Sequence, residues 1–384
     1  MKVLQIAPGY TDIPPRYGGA VEKHIIGLSD ALMHLGVDVT IVARRSKRKR
    51  DDIIYLDPVT GDGSILHKVI NSTIYSINLK HLVQANKFDI IHIHGGIAGL
   101  LQSITLSKTR NKLILTVHNT HVLSYNSLNR ALSVLIETIS ATYADVIIAV
   151  SRAIKEILES RLKNKKVIYI PNGVYIKETK ITKNEARQRL GLNADKIILF
   201  VGRFAPEKGI HVLIQALHEI IYNYGEKDIE LVLIGPPSTG FTEKPSKYFR
   251  DIMNKVKSLK LDKHIVYLGR VSDHVLEEAY IACDVFVLPS IVEAMGMVLL
   301  EAMSYGRPVV ASKTGGIQDI VDHMETGILV PPGNFELLAE ALIKMLSDRK
   351  FMEKIALNAK NKVKREYNWT KIAEKIYTVY KELC

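Results

Sequence analysis

Val285-Phe286-Val287-Leu288-Pro289-Ser290-Ile291-Val292-Glu293-Ala294-Met295-Gly296-Met297-Val298-Leu299-Leu300-Glu301-Ala302-Met303 reads as a strand, a loop and the opening of a helix. The first four residues form an apolar, valine-rich run of the kind buried on both faces of a parallel sheet, and Pro289 ends it. Gly296 permits close backbone approach. A helix starting near Met297 turns N–H groups without intrahelical partners, and a partial positive charge, toward the loop. The natural occupant of such a place is a diphosphate. Glu301 lies about one turn into the helix, badly placed beside phosphate but well placed to accept two hydrogen bonds from a ribose diol. Glu293 precedes the helix, in position to face a sugar carried by that diphosphate.

Working back along the chain, Gly202-Arg203-Phe204-Ala205-Pro206-Glu207-Lys208-Gly209 follows the apolar run Ile197–Val201. An Arg and a Lys five apart at a strand end can converge on one anion, Arg as a planar fork and Lys as a point charge. That pair neutralises a leaving diphosphate without a metal. The usual metal-dependent alternative needs an Asp-x-Asp pair, and the sequence contains none.

The same strand–helix alternation occurs twice, which predicts an α/β protein of two Rossmann-like parallel-sheet domains facing a central cleft. The first series has strands near Val3–Ala7, Val37–Ala43, Ile53–Leu56, Ile90–His94, Leu113–Val117, Val146–Ala149 and Val167–Ile170. Its first helix carries Val21, Ile25, Leu28, Leu32 and Leu35 on one face, and Gly36 stops it. Pro171-Asn172-Gly173 and the polar stretch after it mark the boundary. The second series has strands near Ile197–Val201, Glu230–Ile234, Ile265–Leu268, Val285–Pro289, Pro308–Ala311 and Gly327–Val330. The expected domains are 1–171, 172–366 and a helix over 367–384, whose stripe Ile372, Ile376, Val379 and Leu383 packs back on the first domain. Ligands of open parallel sheets bind outside the carboxyl ends of the strands, so the loops there are where chemistry is expected.

Two such loops stand in the first half. Pro14-Pro15-Arg16-Tyr17-Gly18-Gly19-Ala20 links the first strand to the first helix, and Gly18 and Gly19 allow a ligand to approach a helix N-terminus. Histidines recur at strand ends: His92 and His94, then His118 and His121. No carboxylate or Cys completes a metal-ligand pattern with them, so no metal is expected.

Glu293 and Glu301, with Ser290, Gly296 and the following Gly306-Arg307-Pro308-Val309-Val310, resemble the Glu-x7-Glu motif of retaining glycosyltransferases of the GT-B fold, family 4. Family members often have Pro-Phe-Gly where Ala294-Met295-Gly296 stands, and Asp where Asn119 stands. The resemblance spans essentially the whole chain. It implies transfer of a hexose-type sugar from a nucleotide diphosphate sugar to a glycan, lipid-linked or small polyol acceptor, with retention and without a cofactor. It further implies that Arg203 and Lys208 hold the donor phosphates beside Met295, Gly296 and Met297, and that His118 in Thr116-Val117-His118-Asn119 orients the reacting sugar. Gly18 and Gly19 would border donor and acceptor, with the acceptor on the first domain and the donor on the second. The rivals are a glycan phosphorylase or epimerase on a similar scaffold, and a sugar-nucleotide-binding subunit without catalysis. The last would show erosion of Arg203, Lys208, Glu293 or Glu301, and all four are present.

Composition narrows the setting. Over 384 residues, 47% apolar and 24% charged residues describe a globular protein, long enough for two cores. Cys283 and Cys384 are too few for a disulfide framework, which fits a reducing compartment. Met1–Pro8 reads as a strand and not a signal peptide, and no run reaches the length of a membrane span. A cytoplasmic enzyme is therefore expected. Residues 1–171 hold 22 Lys and Arg against 13 Asp and Glu, while residues 172–384 hold 30 against 27, so the positive charge is concentrated in the first half. Part of it is Arg44-Arg45-Ser46-Lys47-Arg48-Lys49-Arg50, read either as a solvated loop or as attraction to an anionic membrane surface or acceptor. No aromatic residues interleave with it, so nucleic acid is not an expected partner.

Overall fold

Most of the short apolar runs are strands followed by a helix that carries the chain back across the sheet, and the strands pair in parallel. The computed structural model describes residues 1–384 except 9–12, 15–18, 44–49, 57–64, 96, 119–126 and 239–243, and the side chains of 65–72, 97–98 and 127–133 are also outside the description. Two compact units result: Met1–Gly173 together with Asn368–Cys384, and Val174–Tyr367.

The first unit contains β1 (Lys2–Ile6), β2 (Asp38–Ala43), β3 (Ile53–Tyr55), β4 (Ile90–His94), β5 (Lys112–Val117), β6 (Val146–Ala149) and β7 (Lys166–Tyr169). They form one parallel sheet in the order β3-β2-β1-β4-β5-β6-β7. The order reverses between β1 and β4, which opens a crevice at their carboxyl ends. The register sets Gln5 beside His92, and His94 beside Thr116.

The second unit repeats the design with β8 (Lys196–Val201), β9 (Ile229–Ile234), β10 (Ile265–Gly269), β11 (Val285–Leu288), β12 (Val309–Ser312) and β13 (Ile328–Val330). Its order is β10-β9-β8-β11-β12-β13, again all parallel, and the reversal falls between β8 and β11. Those are the strands that precede the Arg203–Lys208 and Ser290–Glu301 segments. The α/β architecture of two Rossmann-like sheets is as the alternation predicts.

The helix Trp369–Leu383 completes the core of the first unit. Asn368 caps it, its side-chain oxygen accepting from the Lys371 N–H at 2.9 Å. Trp369, Ile372, Ile376 and Val379 lie buried among Ile25, Leu28 and Leu32 of the helix Ala20–His34. A fully buried Ile or Leu contributes about 1.5–3 kcal/mol, so this stripe holds the C-terminal segment firmly.

Of the basic run, residues 44–49 lie outside the described residues. Arg50 pairs with Asp52 at 2.9 Å and Asp30 at 2.6 Å, and these partners raise its guanidinium pKa, Asp52 foremost. No helix among the described residues is long and apolar enough to cross a membrane.

Candidate active site

In the second unit, β8 ends in Gly202-Arg203 and a single 3₁₀ turn, Pro206–Lys208, before the helix Ile210–Tyr222. β11 ends in Pro289 and a loop that leads to Gly296, whose φ of 92° only glycine adopts without strain, and then to the helix Met297–Ser304. Because β8 and β11 are neighbours, the two loops meet. The Ile291 N–H donates to the Glu207 carbonyl at 2.8 Å. The Lys208 ammonium donates to Glu293 Oε2 at 2.5 Å, and the Ser290 hydroxyl donates to the same oxygen at 3.2 Å. Lys208 and Glu293 are only 19% and 11% exposed, so this charge-assisted bond is largely out of water, where loss of one partner costs most. An ammonium has three N–H donors, and Glu293 takes one.

Arg203 precedes Lys208 in the loop after β8. It stands at the same strand end, but its guanidinium lies 3.4 Å from Glu207 and is about half exposed. The structure thus joins Lys208 to Glu293, while Arg203 pairs with Glu207 on the same loop.

A third loop backs the site. Glu293 O accepts from the Gly316 N–H at 3.2 Å. A Cβ on Gly315, whose φ is 47°, would stand 1.8 Å from that carbonyl oxygen. Gly315→Ala therefore has to displace the Glu293 segment. We expect a fall in melting temperature of ~5 °C in calorimetry, together with weaker nucleoside diphosphate binding.

Glu301 lies inside the helix Met297–Ser304, half-buried, and its Oε2 accepts the Tyr280 hydroxyl at 2.8 Å. Tyr280 is buried and stacked on Tyr305 at 5.4 Å. Burial first, and the Glu301 charge second, hold the Tyr280 phenol protonated, so its O–H is kept to donate to that carboxylate. This aims the carboxylate along one direction. Nothing in the sequence singles Tyr280 out, because it reads as an ordinary helix residue of Asp273–Ala282.

In the first unit the crevice between β1 and β4 is filled by a cluster of buried polar side chains. Gln5 comes from β1, His24 from the helix Ala20–His34, His92 and His94 from β4, His118 from the end of β5, and Tyr380 from the C-terminal helix. His92 Nδ1 lies 2.7 Å from the Tyr380 oxygen and its Nε2 2.6 Å from Thr116 Oγ1. His94 Nε2 lies 2.5 Å from Gln5 Oε1, and its Nδ1 3.1 Å from His118 Nε2. Gln5 Nε2 donates to the Tyr380 oxygen at 3.0 Å. His24 packs edge-on against His118 and Trp369, with ring centroids 4.6 and 5.4 Å apart. Burial lowers all four imidazoles: His92 and His118 to about 3, His24 and His94 well below the ordinary 6.5, with the neighbouring imidazoles adding to the effect on His24, His92 and His94. The four rings are therefore neutral at neutral pH. Sequence reading picks out His118 and leaves His92 and His94 as strand-end polar residues. It misses His24, Gln5 and Tyr380, which carry no local signature.

His24, His94 and His118 bring one ring nitrogen each within 4.8 Å of one another, a spacing a metal ion could use. Within this set His94 Nδ1 faces His118 Nε2, while His94 Nε2 faces Gln5 Oε1. Of the N-terminal loop, Gly19 is described, with φ 89° at the start of the helix Ala20–His34, and Gly18 lies outside the described residues.

Comparison with known proteins covers both units. The family described as Glycosyltransferase Family 4 matches residues 17–178, and the family described as Glycosyl transferases group 1 matches residues 182–362. A phosphatidyl-myo-inositol mannosyltransferase of Mycobacterium leprae is 28% identical over 396 residues, covering 100% of this chain and 97% of its own. Among solved structures, a sucrose-phosphate synthase from Thermosynechococcus elongatus superposes with a TM-score of 0.86 at 24% identity, covering 100% of this chain and 98% of that one. HepE of Anabaena, solved in complex with UDP-glucose, gives 0.78 at 21% identity, covering 100% of both chains. The two family matches divide the chain as its two sheets do, and the chain belongs to the glycosyltransferases of family 4, with the GT-B fold.

Proposed function

We propose that the protein is a retaining, metal-independent glycosyltransferase that moves a hexose-type sugar from a nucleoside diphosphate to a glycan, lipid-linked or polyol acceptor. The observation that carries this reading is the Lys208–Glu293 bond, which ties the two loops at the β8/β11 crevice into one cation-bearing site at a helix N-terminus. The donor's diphosphate lies against the amides of Met295, Gly296 and Met297, with Lys208 and Arg203 as counter-charges and the ribose on Glu301. Its sugar faces Glu293, which Lys208 and Ser290 hold in one orientation. As the bond from the anomeric carbon to the phosphate oxygen breaks, the acceptor oxygen bonds to the same face of that carbon. The departing diphosphate oxygen takes the acceptor's proton. No enzyme nucleophile is then needed, and the cations and helix amides act where negative charge develops. Gly18 and Gly19 border the reacting groups, and His118 accepts a hydrogen bond from a sugar hydroxyl.

HepE, of like fold, was solved with UDP-glucose, which supports a nucleoside diphosphate sugar as donor. The M. leprae relative is named for transfer to a phosphatidylinositol, which favours the lipid-linked acceptor. A cytoplasmic enzyme resting against the inner membrane face through its basic first half fits such an acceptor. The test is nucleoside diphosphate release from a panel of nucleotide sugars, with EDTA present, followed by NMR of the anomeric centre of the product. Turnover in EDTA with the donor's anomeric configuration is the expected result. An inverted product, or dependence on added metal, refutes the mechanism.

A further inference from the structure

The buried cluster at the end of β4 and β5 has a direction. Gln5 has both ends of its amide engaged, its Nε2 donating to Tyr380 and its Oε1 facing His94 Nε2 at 2.5 Å. An amide oxygen can only accept, so His94 must carry its proton on Nε2. A neutral imidazole has a single N–H, which leaves His94 Nδ1 as an acceptor. Its neighbour at 3.1 Å is His118 Nε2, which must then be the donor. The one lone pair of His118 is left on Nδ1, which makes no hydrogen bond among the described residues although it is buried. The other branch agrees. The Tyr380 hydroxyl accepts from Gln5 and so donates to His92 Nδ1 at 2.7 Å, and His92 Nε2 donates to Thr116.

We infer that Gln5, oriented by Tyr380 and acting through His94, is a positioning residue that sets the tautomer of His118, so that His118 Nδ1 is a fixed hydrogen-bond acceptor for a substrate hydroxyl. This rests on the reading of His118 under the proposed function, and adds to it which nitrogen works and what decides its role. Burial lowers the pKa of His94 and His118, and this fits, since protonation of either ring would remove the acceptor. The relay selects for a sugar hydroxyl, a donor, and against a group that offers only acceptors. Its components come from β1, β4, the end of β5 and the C-terminal helix, so Tyr380 ties the last helix of the chain to the chemistry of the first sheet.

The test is nitrogen NMR of the full-length protein with isotope-labelled histidine, reading which ring nitrogen of His94 and His118 is protonated. Protons on Nε2 of both are expected. A proton on His118 Nδ1 in the wild type overturns the inference, as does a stoichiometric metal ion bound to His94 and His118. Gln5→Leu removes the acceptor that holds the His94 proton on Nε2. His118 should then shift to the Nδ1–H form, with a fall in kcat on the order of 10²-fold. Gln5→Glu keeps an acceptor oxygen and should retain the wild-type tautomer. If Gln5→Leu changes the tautomer and leaves kcat and KM unchanged, the positioning role is refuted. The tautomers are read without substrate, so a failure of the glycosyltransferase reading itself would appear separately, as absence of turnover in a wild type whose tautomers are as assigned.

Discussion

Lys208→Met lowers kcat/KM by ~10³-fold in the nucleoside diphosphate release assay, the scale expected when one pre-placed donor to a developing anion is lost. Two effects combine. The leaving diphosphate loses a counter-charge, and Glu293, 11% exposed, loses the partner that held it at 2.5 Å. The second effect can be separated. Glu293→Gln keeps the shape and removes the charge, so the ion pair is lost without leaving an unpaired buried carboxylate. Because the two residues share one contact, the double variant should lose much less than the product of the single losses. Multiplying losses would mean that Lys208 and Glu293 act independently, and wild-type turnover in Lys208→Met would remove the lysine from the chemistry. Circular dichroism should show native secondary structure in all three variants, since neither side chain belongs to a hydrophobic core.

The second large effect is on stability in acid. The folded first unit keeps His24, His92, His94 and His118 neutral well below 6.5, two of them down to about 3. An unfolded chain protonates the same residues near 6.5. Between these values the unfolded state binds more protons, so stability is fully present above about pH 6.5 and is lost as pH falls toward about 3. Each such group is worth about 1.4 kcal/mol per pH unit. Glu22 and Glu137 act in the opposite sense, since burial raises both, Glu137 to about 8, and their protonated forms favour the fold at lower pH. Four imidazoles outweigh two carboxyls. The balance, about 3 kcal/mol per pH unit, exhausts a typical stability of 5–15 kcal/mol within a few pH units. Trp369, the one tryptophan of the chain, is buried against His24 and reports this unit directly. Its fluorescence transition in urea should move to lower denaturant as pH is reduced from about 7 to about 4. A midpoint that does not move over that range would mean that the imidazoles are not held neutral.

The two site segments differ in how far they can be read from residues alone. The strand–loop–helix of Val285–Met303 and the segment after Val201 are local patterns, because a buried strand, a glycine with positive φ and a helix start are all encoded within some twenty consecutive residues. Their partners are not. Lys208 meets Glu293 across 85 positions of sequence, and this depends on β8 and β11 being neighbours, which apolar periodicity does not specify. Tyr280 on Glu301, and Gly315 under the Glu293 carbonyl, depend equally on how helices and loops return to the sheet.

The histidine cluster shows the difference most clearly. His92, His94 and His118 are visible as strand-end histidines, yet their neutrality follows from burial in the folded unit, and their link to Gln5 and Tyr380 arises only when residues 5 and 380 come within hydrogen-bond distance. Sequence by itself determined the alternation of strands and helices, the two parallel sheets, the cationic and acidic motifs and the amphipathic last helix, because each is written in side-chain periodicity or in backbone preferences over a few residues. Tertiary structure alone decided the strand order, the pairing of Lys208 with Glu293 and the buried relay behind His118. The physical reason is that charge pairing and desolvation depend on distance in space, which a chain of 384 residues sets only when it has folded.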